Sequence, residues 1–113
     1  MLVRVATDEI VFVRADGNYS DLVLTNGKTR NMSFQLHYFE DAFQNLHTNL
    51  FVRVGRSLIV NKRYIYIINL ADGTLRFSGQ EIKAELSPIR VSREALKALK
   101  AQLEQDAERD NNG

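Results

Sequence analysis

Three short stretches of this 113-residue chain carry side chains suited to recognising a phosphate or the edge of a nucleic-acid base: "GNYS" at 17–20, "GRS" at 55–57 and "VSRE" at 91–94. Asn18, Ser20, Ser57 and Ser92 bring amide or hydroxyl groups. Arg56 and Arg93 bring planar guanidinium forks that match the paired acceptors of guanine. Each stretch sits at a glycine or a strand-to-helix junction, where side chains project from a scaffold instead of packing inside it. Arg56 poses the sharpest question. Val52, Val54, Leu58 and Val60 alternate as the buried face of a strand should, and Arg56 occupies the position between the two pairs. An unpaired charge buried there would cost several kcal/mol, so the strand is expected to end or bulge at Gly55 and lift Arg56 out of the apolar register.

Other chemistries find little support. With no cysteine there is no disulfide, no thiol nucleophile and no cysteine-ligated zinc. His37 and His47 stand ten residues apart, outside any metal-binding spacing, and are read as ordinary surface or boundary residues. Glu40 and Asp41 are adjacent on an expected helix and project in different directions, which makes a poor acid–base pair. No glycine-rich phosphate loop occurs. The expectation is a non-enzymatic domain without cofactor or metal.

The elements that must position the three stretches follow from periodicity. "LVRV", "EIVFVRA" and "YSDLVLT" read as strands, punctuated by Asp16 and Gly17 and closed by Asn26 and Gly27. "SFQLHYFEDAFQNL" changes period, with Leu36, Phe39, Phe43 and Leu46 on one helical face and Ser33 placed to cap it. "LFVRV", "SLIVN", "IYIINL" and "TLRFS" return to β-branched and aromatic strand composition. Pro88 precedes "IRVS", a last short strand. It runs into "REALKALKAQLEQ", where Leu96, Leu99 and Leu103 mark a helix capped by Ser92. The polar end, 105–113, reads as an acidic, disordered tail.

Composition fits one soluble domain: 44% hydrophobic, 26% charged, and no apolar run near the ~18 residues that span a bilayer. The N-terminus lacks a signal-like apolar core, which points to a cytoplasmic protein. Net charge is +1 but unevenly placed: from residue 104 onward the chain carries −3, leaving +4 on the body. That is a modest basic surface, permissive of nucleic acid.

Taken together, "EIVFVRADGNYSDLVLTNGKTRNMSFQLHYFEDAF", "FVRVGRSLIVNKRYI" and "IRVSREALKALK" resemble the LytTR domain, the DNA-binding output module of many bacterial response regulators. The resemblance runs over residues 8–103. It implies a mainly β fold of small antiparallel sheets built from short strands, with one inserted amphipathic helix and one C-terminal helix, as a single domain over 1–104. It also implies sequence-specific binding of duplex DNA by loops entering successive major grooves, in a transcriptional regulator of a two-component system. By motif, Asn18 and Ser20 would enter one groove, Arg56 and Ser57 would approach the intervening backbone or base edges, and Arg93 would read the next groove. Arg53, Asn61 and Lys62 are candidates for phosphate contact or loop support. The family further suggests repeated half-sites and a homodimer on DNA. Many members carry histidine where this chain has Gly55. The alternative is a small β-rich protein-interaction or ligand-sensing module that uses the same loops, marked by an apolar patch beside them.

Overall fold

The computed structural model describes residues 4–46 and 49–112, with side chains through 109. Eight strands and two helices follow in chain order. They are β1 (Ile10–Asp16), β2 (Tyr19–Leu24), β3 (Thr29–Met32), α1 (Leu36–Gln44), β4 (Phe51–Val54), β5 (Leu58–Asn61), β6 (Ile65–Asn69), β7 (Thr74–Phe77), β8 (Ile89–Arg90) and α2 (Arg93–Asn112). A five-stranded sheet has the order β3-β2-β1-β5-β4, and a three-stranded sheet has the order β6-β7-β8. Every pairing is antiparallel. The mainly β architecture with two helices is the expected one.

Strand alternation sorts the apolar side chains of the larger sheet onto two faces. Ile10, Val13, Leu22, Leu24 and Ile59 pack with Leu36 and Phe39 of α1. Phe12, Val23, Val52, Val54, Leu58 and Val60 pack on the other side with Leu75 and Phe77 of the smaller sheet and with Leu96 and Leu99 of α2. A register shift between Ile10 and Phe12 in the β1–β2 ladder lets Val11 join Phe12 in that second cluster, as a bulge does. Strands β1, β2 and β5 of the large sheet are therefore covered on both faces, although they are antiparallel, while the edge strand β3 is largely exposed.

The alternating series around Arg56 is the two arms of a hairpin. Val52 pairs with Val60 and Val54 with Leu58, so the four valine and leucine positions are mirrored about residue 56. Residues 55–57 form the turn, with Gly55 at φ +65°. A left-handed backbone of that kind costs a residue with a Cβ about 1–2 kcal/mol. The strand ends at Gly55 as expected, and Arg56 stands at the apex.

Several expectations need correction. No strand forms over residues 4–6, and the rest of "LVRV" lies outside the described residues, as does His47. Ser33 does not cap α1: the helix starts at Leu36 after an extended Gln35 that makes no side-chain cap bond, and Leu46 falls beyond the helix end. The hydroxyl of Ser33 lies too far upstream for the first turn it was expected to serve. The acidic tail is helical through Asn112 instead of frayed. Gln105, Ala107, Glu108 and Arg109 are good helix formers, the helix arrives already paired at Lys100 and Glu104, and Asp106 is anchored by Lys62 at 3.0 Å. Ser92 caps α2 as expected, its Oγ accepting from the Ala95 N–H at 3.2 Å.

Candidate nucleic-acid interface

Antiparallel pairing carries the first two chemically equipped stretches to one end of the large sheet. β1 runs up to its turn at Gly17 and Asn18, and β5 starts beside it, with Arg14 opposite Leu58. The Ala15 N–H donates to the Ser57 carbonyl at 2.8 Å, which ties the hairpin turn at 55–57 to the end of β1. The third stretch arrives from the other sheet. The β8–α2 junction packs against the same turn, so that residues 54–58 and 89–92, with Ala95, line one shallow groove of about 180 Å³.

Asn18 is exposed as the second residue of a two-residue turn, after Gly17 at φ +63°. This is the sign pattern of a type II′ hairpin, which places glycine first. The Asn18 Oδ1 accepts from Gln35 Nε2 at 3.3 Å, which orients the amide. Arg56 and Ser57 are exposed, and the Arg56 side chain makes no hydrogen bond or ion pair among the described residues. Arg93 is exposed on the first turn of α2. Its Nη2 donates to the Ala71 carbonyl at 3.2 Å, holding it beside the β6–β7 turn with other N–H donors left over. These four side chains face solvent and can meet an external partner.

The other expected site residues are placed differently. Ser20 is fully buried, and its Oγ donates to the Phe34 carbonyl at 2.8 Å. The strand carries it under the loop preceding α1, where its hydroxyl is used within the fold and supports the turn from beneath. Asn61 is also fully buried: its Nδ2 donates to the Ile10 carbonyl and its Oδ1 accepts from the Arg63 N–H, both at 3.0 Å. Of the two roles open to Asn61, only support is compatible with that burial. Lys62 is committed to Asp106 of α2.

Arg53 is a staple for the turn. From β4 its Nε donates to the Gly55 carbonyl at 3.1 Å and its Nη2 to the Arg56 carbonyl, while Nη1 lies 3.4 Å from Glu40 Oε1 on α1. One guanidinium thus fixes two successive carbonyls of the tip that presents Arg56, a task its planar fork suits and a lysine ammonium does not.

Among the described residues no three potential metal ligands come together, and no helix is long and apolar enough to cross a membrane.

The model of the LytTr DNA-binding domain family matches residues 1–104. The chain belongs to that family. Its LytTr fold is also similar to the solved LytTr DNA-binding domain of a methyl-accepting/DNA response regulator from Bacillus cereus, with a TM-score of 0.65 at 20% identity. That match covers 89% of this chain and 86% of the other. A comparison with curated proteins gives no match.

Two arginines of the groove in this LytTr domain were not among the sequence candidates. Arg14 extends the Phe12 face of β1 to its polar end, and Arg90 closes β8. Arg14 could have been suspected from the same alternation that exposed Arg56, because it continues an apolar series with a charge. Arg90 carries no such signal, since a two-residue strand has no period to break.

Proposed function

We propose that this LytTr domain binds duplex DNA sequence-specifically and serves as the output module of a bacterial transcriptional regulator acting in the cytoplasm. Asn18 enters one major groove, Arg93 reads the next, and Arg56 with Ser57 lies between them. The observation that carries this reading is the position of Arg56: exposed, unpaired, at the apex of a hairpin whose tip carbonyls are held by Arg53. A fixed backbone with a free guanidinium is the arrangement that direct readout requires, because the fork must meet guanine O6 and N7 together. A body charge of +4 gives modest nonspecific affinity, so two copies on repeated half-sites supply useful occupancy.

Selection from a pool of random duplexes, followed by titration of the enriched sequence, tests the proposal. The expected result is an enriched motif, affinity that falls steeply with salt, and losses of about 1–3 kcal/mol with relaxed specificity for Arg56→Ala and for Arg93→Ala. Duplex binding that is absent, or unaffected by salt, refutes it. In that case the alternative, a protein-interaction module, gains from the exposed Tyr19, Phe34 and Tyr38 near the first turn, two of which stack with ring centroids 4.2 Å apart.

A further inference from the structure

The groove between the hairpin tip and the β8–α2 junction brings together three arginines from three separate strands or turns: Arg14, Arg56 and Arg90. No aspartate or glutamate lines it. Among the described residues none of the three arginines is in an ion pair. The carboxylate best placed to neutralise Arg14 is Asp21, its cross-strand partner, and that group accepts instead from Asn31 Nδ2 at 2.7 Å. The Arg14 guanidinium lies over the Phe12 ring, 5.9 Å from its centroid, which restricts where the fork points.

Two hydroxyls complete the lining. Ser92 Oγ accepts from the Ala95 N–H, so its own hydrogen is free to donate. The Ser57 hydroxyl is exposed at the end of the turn. The walls therefore offer guanidinium and hydroxyl donors and no anionic acceptor. All three arginines belong to the lining of one small groove where the protein provides no counter-charge, so an external anion is favoured there. Guanidinium forks favour phosphate, with which they form paired, charge-assisted hydrogen bonds.

We propose that this groove is a phosphate seat: Arg14 and Arg90 grip one backbone phosphodiester of the duplex at the point where the strand passes between the Arg56 tip and the Arg93 junction. The inference rests on the DNA-binding reading above and adds to it a contact that carries no sequence information. Its function is register, since a phosphate gripped midway between two reading loops fixes where each meets the base edges.

The test uses the full chain, the selected duplex and a scrambled duplex of equal length, with fluorescence anisotropy from about 50 to 200 mM salt. Arg14→Ala and Arg90→Ala are each expected to weaken both duplexes alike, by roughly three- to tenfold, and to reduce the slope of log affinity against log salt by about 1. Arg14→Lys and Arg90→Lys keep the slope, which separates loss of contact from loss of fold. A single neutral methylphosphonate at the gripped position of the selected duplex reproduces the loss in the wild type and adds nothing to the alanine variants. If Arg56→Ala and Arg93→Ala impair binding while Arg14→Ala and Arg90→Ala leave affinity and slope unchanged, the seat is refuted and the DNA reading stands. If the Arg14 and Arg90 variants lose binding of inorganic phosphate at constant ionic strength but keep duplex affinity, the groove serves a free anion and the proposal is likewise overturned. If the wild type binds no duplex, both readings fall together.

Discussion

Replacing Arg53 by lysine separates holding the turn that presents Arg56 from a direct contact with DNA. The guanidinium makes two hydrogen bonds to the tip carbonyls and one ion pair to Glu40, and its side chain is 32% exposed. Hydrogen bonds from a charged donor are worth about 1.5–3 kcal/mol each when shielded, and halving that for solvent access leaves about 2 kcal/mol for the pair. If all of it positions Arg56, its loss weakens duplex binding by up to about 30-fold. A lysine keeps the charge but cannot span two successive carbonyls, so Arg53→Lys is expected to lose nearly as much affinity as Arg53→Ala. The salt slope should stay at the wild-type value in both variants. A double-mutant cycle with Arg56→Ala, read by anisotropy on the selected duplex, should be strongly non-additive, because the staple has nothing left to position once Arg56 is gone. The reasoning is refuted if Arg53→Lys binds like the wild type while Arg53→Ala lowers the slope by about 1, the signature of a direct phosphate contact.

Three further outcomes are expected. Ser20→Ala should cost about 1–3 kcal/mol in urea denaturation, by leaving the Phe34 carbonyl without its partner, yet leave the affinity of the folded protein within about twofold. Asn61→Leu should destabilise by about 2–4 kcal/mol in the same measurement, since it removes two buried bonds that tie β5 to β1 and shape the turn into β6. The third concerns alkaline pH. Burial, with the neighbouring Glu81 carboxylate adding to it, holds the Tyr64 hydroxyl above its ordinary value of about 10. Tyrosine in the unfolded chain ionises first, so this contribution is intact below about pH 10 and drains away as pH rises through the folded value. Tyr64→Phe should flatten the fall of the urea midpoint above pH 10 relative to the wild type, while lowering the midpoint at neutral pH through loss of the bond to the Asp8 carbonyl.

Much of this architecture is legible in the sequence because each signal is local. The turn glycines, the switch from period two to period 3.6 at α1, and the Ser92 cap depend on neighbours only a few residues away. The resemblance to LytTR domains is carried by motifs of the same short range. What could not be read depends on partners far along the chain. Ser20 and Asn61 are polar residues in strand segments, indistinguishable by type from surface ones, and only the 14- and 51-residue separations to their acceptors show them to be internal props. Arg53 and Arg56 look alike on the page, but one is consumed by the backbone it supports. Asp106 makes the acidic tail part of the body by reaching Lys62, 44 residues away, and local composition holds no trace of that contact.

The backbone angles at Gly17 and Gly55 also bear on how such a surface changes over time. At both turns the conformation that a side chain would resist is taken by the glycine, and the residue that follows, Asn18 or Arg56, is exposed. Shape and recognition are thereby assigned to separate positions. Either presented residue can be exchanged for one of different hydrogen-bonding character without altering the bend that displays it. On the proposed DNA-binding reading, single substitutions there change the target while the scaffold stays as it is.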